Sequence, residues 1–278
     1  MKSTQTKGLK RNTIDKYYTK EACVQVCLDL VKKYIELDSN KDLVIEPSAG
    51  NGSFISGIKL LCNNFIFYDL APENSEIIKQ DYLNLNYYDF KNKFNNIHII
   101  GNPPFGRQSS LAIQFIKKSC EFCSSLSFIL PKSFKKDSLK KTFPLNFHLM
   151  YEVDLPEKSF LVDDVEHNVP CVFQIWEKKM HNRVINEKLE PNNFIFVEKT
   201  QQPDISFRRV GVNAGTIDIN IDEKSIQSHY FIKFTNGKSI NDNITQLSTI
   251  TYDFNNTVGP KSISKQELIF KFNPLLDF

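Results

Sequence analysis

The sequence predicts an α/β fold: a mainly parallel sheet covered by helices on both faces, followed by a smaller strand-rich region. Three observations carry this. Short apolar runs alternate with helix-patterned stretches from about residue 20 to residue 180. The first of these runs close on an acid or on turn-forming residues, as strands do where they leave a sheet. After Lys179 the pattern changes to short strand-like pieces separated by Asn, Asp and Gly. A domain over residues 1–180 and a small second region over 181–278 are therefore expected.

Residues 20–37 read as a helix because Cys23, Cys27, Leu30, Val31 and Tyr34 recur at helical spacing on one face. Residues 42–46 (DLVIE) form a first apolar run closed by Glu46. Turn chemistry follows from Pro47 to Ser53, and a helix resumes from Phe54 to Leu61. Residues 64–69 (NFIFYD) and 76–81 (EIIKQD) give a second and third strand, closed by Asp69 and Asp81. Residues 97–101 are the fourth strand, 108–124 a helix, and 126–130 (LSFIL) the fifth strand. Two further runs lie at 147–155 and 170–177. The pieces FIFVE, ISFRRV and SHYFIKF are the strand candidates of the last region.

Composition bounds the function. The chain has 278 residues, 41% hydrophobic and 24% charged, which is ordinary for a soluble protein with a sizeable core. No run approaches the roughly 18 apolar residues of a membrane span. The basic start, MKSTQTKGLKR, has no apolar stretch behind it, so a cytoplasmic or nuclear location is expected rather than secretion. The six cysteines lack a disulfide rhythm and read as reduced thiols. Cys120 and Cys123 have no second ligand pair at matching spacing, so buried thiols are expected there and no metal. Net charge is only +3, but its distribution is uneven. Residues 1–20 carry six basic side chains against one acid, and residues 132–141 carry five lysines, beginning at Lys132, against one acid. Such clusters are either solvated faces or a rim that attracts a phosphate backbone.

In sheets of this kind, ligands sit beyond the carboxyl ends of the strands. After the first strand come Glu46-Pro47-Ser48-Ala49-Gly50-Asn51-Gly52-Ser53-Phe54. The paired glycines let the backbone turn tightly and approach a ligand. Glu46 would repel a pyrophosphate and suits a ligand carrying an amine or positive charge. Asp69 is placed to accept the two hydroxyls of a ribose, and Asp81 the amino group of an adenine. Singly, each acid is more often a turn or helix cap than a ligand contact. In this order they describe S-adenosylmethionine. The fourth strand then exits into Asn102-Pro103-Pro104-Phe105. The exocyclic amine of adenine is a poor nucleophile because its lone pair is delocalised into the ring. The Asn102 side-chain oxygen and the Pro103 carbonyl would accept its two hydrogens, while the prolines remove competing donors. Phe105 would stack on a base swung out of its duplex.

With these residues the chain resembles the S-adenosylmethionine-dependent methyltransferases that modify the exocyclic amine of adenine in DNA. The match covers about residues 11–180, through the cofactor loop Glu46–Phe54 and the tetrapeptide Asn102–Phe105, whose usual form is Asp/Asn/Ser-Pro-Pro-aromatic. The segment Ile14-Asp15-Lys16-Tyr17-Tyr18-Thr19 resembles the stretch in which these enzymes hold the methionine part with an aromatic-Thr pair, here Tyr18 and Thr19. The resemblance implies a Rossmann-like seven-stranded methyltransferase sheet with a reversed last strand. It implies S-adenosylmethionine held by Tyr18, Thr19, Glu46, Pro47, Ala49, Gly50, Gly52, Phe54, Asp69, Asp81 and Asn102. Transfer would be direct, with Asn102, Pro103, Pro104 and Phe105 at the reacting amine and no metal. The partner would be nucleic acid, DNA ahead of RNA. Residues 181–278 would form a small target-recognition region, with Arg107, Gln108, Lys132, Arg208 and Arg209 as candidate substrate contacts. Three alternatives stay open: an adenine in RNA, a protein glutamine amide, and a non-catalytic binding subunit.

Overall fold

The computed structural model describes residues 17–90, 92–162, 164–184, 187–252 and 261–277. The chain divides into two units, Met1–Val184 and Ile185–Phe278. Of the segment 14–19 singled out in the sequence, Ile14, Asp15 and Lys16 lie outside the described residues, as does the basic cluster up to residue 16.

The first unit is built on a seven-stranded sheet. Its strands are β1 (Leu43–Glu46), β2 (Phe65–Asp69), β3 (Ile78–Lys79), β4 (Ile97–Gly101), β5 (Ser125–Pro131), β6 (Phe147–Asp154) and β7 (Cys171–Lys178). Their spatial order is β3-β2-β1-β4-β5-β7-β6. The first five run parallel, and β7 inserts antiparallel between β5 and β6. This is the expected Rossmann-like sheet with a reversed last strand.

Strand alternation divides the core in two. Val44, Ile100, Ile129 and Phe173 face α1 (Glu21–Tyr34) and α2 (Ile55–Leu61), where Cys27, Val31 and Ile58 meet them. Ile45, Ile99, Leu126, Phe128 and Leu130 face the other way, against Ala112 and Ile116 of α3 (Ser110–Cys120). Neighbours along a strand point to opposite faces, so a continuous apolar run is what a sheet buried on both sides requires. Burial of each such side chain contributes about 1.5–3 kcal/mol before the ordering cost. All six cysteines are free and buried. No helix among the described residues is long and apolar enough to cross a membrane.

Several expectations are corrected. The helix read over 108–124 starts at Ser110 and ends at Cys120. Arg107–Ser109 form a tight turn instead, with Gln108 and Ser109 in the left-handed region at φ 53° and 62°. The strand read over 76–81 shrinks to Ile78–Lys79, because Asp81 caps the turn Tyr82–Asn84. The lysine run at 132–141 is not a bare basic rim. Lys132 and Lys135 each lie 2.9 Å from Asp154, and Lys140 lies 3.4 Å from Glu152, so β6 neutralises three of its cations. A short antiparallel sheet was also not foreseen. Tyr18–Thr19 pairs with Phe160–Val162, which pairs with Val165–His167.

The second unit holds a four-stranded antiparallel sheet of β8 (Phe194–Val197), β9 (Ile205–Arg208), β10 (Ile217–Asp218) and β11 (His229–Phe234), in the order β8-β11-β9-β10. Two helices, α4 (Ile240–Leu247) and α5 (Lys265–Leu276), complete a core of Phe194, Ile205, Phe207, Ile232, Leu268 and Phe272. Their Ser239 and Ser264 side chains accept from the backbone amides of Asp242 and Glu267, satisfying donors at each helix start.

At the amino end of the first sheet lies a buried polar chain. His98 Nε2 is 3.2 Å from Asp42 Oδ2 and its Nδ1 is 2.7 Å from Ser125 Oγ. Asp42 also accepts from the Asp38 and Asn96 backbone amides. Burial lowers the His98 pKa below its ordinary value, against the opposing pull of Asp42. The folded state therefore holds His98 neutral where the unfolded chain takes up a proton. This contribution to stability is present above the ordinary histidine pKa and is lost as pH falls below it. In thermal unfolding followed from about pH 7.5 to 5, the midpoint of His98→Gln relative to the unaltered protein should rise as pH falls below the ordinary histidine value; parallel profiles would rule out a His98 contribution.

Candidate active site

Strand β1 has β2 on one side and β4 on the other, so the sheet's connections diverge around it. Loops leaving such strands part to opposite faces and open a crevice at the carboxyl edge. A cavity of about 290 Å³ lies there. The Glu46–Phe54 loop after β1, Asp69 to Ala71 after β2, Asp81 to Leu83 beyond β3 and Asn102 to Phe105 after β4 contribute to its wall, with Tyr17, Tyr18 and Thr19.

The β1 loop is pre-built by its backbone. Ala49 N–H donates to the Tyr68 carbonyl at 2.8 Å, and Gly52 N–H donates to the Ala49 carbonyl at 2.7 Å. Gly50 sits at φ +55°, and a Cβ there would lie 3.4 Å from the Tyr18 ring. Gly52 sits at φ +90°, and a Cβ there would meet the Ile55 side chain at 2.6 Å. Asp69 fixes the loop from β2: its Oδ2 accepts from Gly50 N–H and its Oδ1 from Ala71 N–H, both at 2.8 Å. The Tyr18 hydroxyl is 2.7 Å from both carboxylate oxygens of Glu73, another residue of the cavity wall.

Glu46 is 2% exposed, and its Oε2 has no hydrogen-bond partner. Burial, and then the neighbouring Asp69 charge, push its pKa from 4.5 up to about 8. A buried carboxyl without a partner at the wall of a cavity is poised for a ligand that brings a donor or a positive charge. An aminoacyl ammonium is such a group, so this wall fits S-adenosylmethionine.

Asn102 is oriented without ambiguity. Its Nδ2 donates to the Tyr17 backbone carbonyl at 3.1 Å and to Thr19 Oγ1 at 3.3 Å. A carbonyl can only accept, so the amide nitrogen must face it. Oδ1 is thereby turned to the other side, where it accepts no hydrogen bond among the described residues. The Asn102 backbone carbonyl accepts from Ser48 Oγ at 3.1 Å, which ties the tetrapeptide to the β1 loop. The Pro103 carbonyl likewise accepts nothing among the described residues, and Pro104 has no N–H to offer nearby. Phe105 packs against both core clusters while its ring lines the cavity. Its carbonyl accepts from Leu111 and Ala112 N–H, fixing the tetrapeptide to the start of α3.

The cavity wall thus brings together Tyr18, Thr19, Glu46, Pro47, Ala49, Gly50, Phe54, Asp69, Asp81 and Asn102 to Phe105. Gly52 is not on the wall; it shapes the turn behind it. Asp81 accepts from Leu83 N–H at 3.0 Å and from Asn84 Nδ2 at 2.6 Å, so it is a turn cap as well as a wall residue. Arg107 and Gln108 are exposed and do not line the cavity, and Lys132 is paired with Asp154. Arg208 and Arg209 belong to the second unit. There Arg208 Nε donates to the Val210 carbonyl, while Arg209 donates to the Gln227 carbonyl and lies over the Tyr230 ring. Sequence reading missed Ser48, Glu73 and the Tyr17 carbonyl as parts of the site. An acid four residues past Asp69 was the visible signal for Glu73; a backbone carbonyl leaves none.

A scan of family models found no match, and neither did a search of curated proteins. Among solved structures, the chain is similar to a candidate RNA methyltransferase from Pyrococcus horikoshii at 19% identity, covering 63% of this chain and 93% of that one, with a TM-score of 0.43. It is also similar to an rRNA methylase from Streptococcus thermophilus at 17% identity, covering 56% and 96%, with a TM-score of 0.39. A third similarity is to the N-methyltransferase NodS from Bradyrhizobium japonicum, at 10% identity over 56% and 94%, with a TM-score of 0.39. With scores below 0.5, nothing about this chain's activity rests on them.

The raised Glu46 pKa has a checkable consequence. Between 4.5 and about 8 the folded state holds a proton that the unfolded state has released. Stability contributed this way is present at low pH and declines as pH rises across that window. Glu46→Gln should therefore flatten the alkaline side of the unfolding profile of the ligand-free protein. An unchanged alkaline slope would mean that Glu46 is already ionised when folded.

Proposed function

We propose that this chain transfers a methyl group from S-adenosylmethionine to the exocyclic 6-amino group of an adenine in a polynucleotide. One observation carries the reading: Asn102 lines the cavity with its amide nitrogen anchored, and among the described residues neither its side-chain oxygen nor the carbonyl of the following proline accepts a hydrogen bond. Two acceptors without competing donors suit a nitrogen that must present two hydrogens. The family resemblance over about residues 11–180 favours DNA as the polymer; the tetrapeptide itself serves RNA equally.

When bound, S-adenosylmethionine supplies a methyl group on a sulfonium. The residues of the chain do the rest. Asn102 Oδ1 and the Pro103 carbonyl accept the two amine hydrogens and draw the nitrogen lone pair out of conjugation with the ring. Neither oxygen is basic enough to keep a proton, so the one released on methylation goes to solvent. Phe105 offers a flat apolar face to the base, worth about 1–3 kcal/mol of stacking. Glu46 is placed to accept from the ammonium, and Asp69 keeps a second lone pair on each oxygen for ribose hydroxyls. Holding nucleophile and methyl in line supplies much of the rate.

A methyl-transfer assay on duplex DNA, single-stranded DNA, RNA and protein, followed by nucleoside mass spectrometry, tests the proposal. The expected product is N6-methyladenine, with DNA the best acceptor. Asn102→Ala should lower turnover about 10²–10³-fold, the cost typical of losing one preorganised electrostatic partner. Its affinity for S-adenosylhomocysteine should change little. A methylated glutamine, or unaltered turnover in Asn102→Ala, would overturn the assignment. Thr19→Val should lower kcat modestly by leaving the Asn102 amide held by the Tyr17 carbonyl alone, and Thr19→Ser should restore it. Equal activity in the three Thr19 forms would mean that the Tyr17 carbonyl alone orients the amide.

A further inference from the structure

A second cavity, of about 230 Å³, lies wholly in the second unit and differs in kind from the first. Its origin is the sheet register. Along β9, Ile205 and Phe207 enter the core, so Ser206 and Arg208 face away from it. Arg208 is paired directly with His229, the first residue of β11, and Ser206 is paired with Asp218 of β10. Alternation therefore collects the polar residues on one face of the sheet, where Lys224, Thr216 and Asn213 close the cavity around them.

The charges there do not cancel. Lys224 Nζ lies 2.5 Å from Asp218 Oδ2, and Asp218 Oδ1 also accepts from the Asn220 amide, so that carboxylate is committed. Arg208 has no acid partner among the described residues. Its Nε donates to the Val210 carbonyl at 3.2 Å, and the two terminal nitrogens donate to no group among the described residues. His229, 8% exposed, stands beside it. The His229 Nδ1 is 3.1 Å from the Ser225 carbonyl, which can only accept, and 3.0 Å from Ser228 Oγ, which can accept as well as donate; the carbonyl favours the tautomer with the ring hydrogen on Nδ1. Nε2 is left without a partner among the described residues. The site therefore holds a half-buried guanidinium with its planar edge unused, next to a buried imidazole with one nitrogen unused.

We propose that this cavity is an oxyanion site that takes a phosphate group, with Arg208 as its principal ligand and His229 as its second. A guanidinium edge matches two phosphate oxygens at once, and such paired, charge-assisted bonds are the strong ones. Burial first, and then the Arg208 and Lys224 charges, lower the His229 pKa, while the Ser225 carbonyl and Asp218 oppose them. A bound phosphate reverses that balance, so His229 gains a proton and a second donor on binding. Affinity should accordingly rise as pH falls toward the ordinary histidine value. The phosphate is either free in solution or part of a polynucleotide backbone. The second source would deepen the function proposed above, but binding itself does not depend on that function.

The full chain can be titrated with inorganic phosphate, and separately with a short single-stranded oligonucleotide, while the His229 ring proton is followed by NMR. His229→Gln assigns the resonance. The expected result is an upward pKa shift of His229 with one or both ligands, and its loss in Arg208→Gln. Arg209→Gln should retain it, because that guanidinium is occupied by the Gln227 carbonyl and the Tyr230 ring. A response to inorganic phosphate alone identifies a free-phosphate site; a stronger response to the oligonucleotide, weakened by salt, identifies a backbone site. No shift with either ligand, or the same shift in folded Arg208→Gln, overturns the proposal. Methyl transfer is not part of this readout. A silent enzyme with a responsive His229 would sink the assigned activity alone, and the converse would sink this site alone.

Discussion

The hydrogen bond from Asn102 Nδ2 to the Tyr17 carbonyl is the constraint on which the site depends. A free side-chain amide can turn over and exchange its oxygen for its nitrogen. Here one side meets a carbonyl, which cannot donate, so turning over would set two acceptors against each other. Leaving a buried acceptor pair unmatched costs about 1–3 kcal/mol, enough to keep one orientation dominant. The Tyr17 carbonyl is in turn held because the next two residues pair with Phe160–Val162 in the small antiparallel sheet. Lys20 and Lys158 both reach Glu166 in the same sheet, adding an ion-paired edge. A strand of two residues thus sets the chemistry of a loop 83 positions away.

The opposite wall of the cavity is fixed by a different means. Asp69 spends a lone pair of each oxygen on backbone amides, which locks the glycine loop against β2. Glu46 makes no comparable bond with its Oε2 and remains in a low-dielectric wall. One carboxylate is committed to structure and the other is held in reserve. Charging both in the absence of a cation would place like charges together beside a carboxyl that is already buried. A cationic ligand removes that conflict, which gives the cavity a preference for charge as well as shape.

The sheet was legible in the sequence because β1, β4 and β5 are mainly apolar runs that end abruptly in turn or polar residues, as strands buried on both faces do. The tetrapeptide after β4 was legible through its place after a buried strand, since Asn-Pro-Pro alone reads equally as a turn. What was not legible depends on distant partners. Nothing in Tyr18–Thr19 announces that it pairs with residues 160–161, and nothing in the lysine run at 132–141 announces that Asp154 and Glu152 will meet it. The left-handed turn at Gln108 and Ser109 was missed because neither residue is glycine. The helices α4 and α5 are a different case. Ser239 with Asp242, and Ser264 with Glu267, are start signals present in the sequence, obscured by the surrounding polar residues and, in α5, by Pro274.

The choice between an aromatic amine and a side-chain amide as acceptor turns on Phe105 rather than on Asn102. Both acceptor nitrogens are planar and poorly nucleophilic, so the two oxygens of the Asn-Pro step serve either equally. Phe105 is held between the two cores of the first unit and offers an apolar ring without a polar tip. A glutamine amide has little π surface to place against it and would leave its own polar edges facing a wall that cannot bond them. A purine covers the ring with a face and carries its hydrogen-bonding groups in its plane, where the Asn102 oxygen and the Pro103 carbonyl are available. Under the proposed function, the ring that does no chemistry would therefore be the part of the site that selects a base.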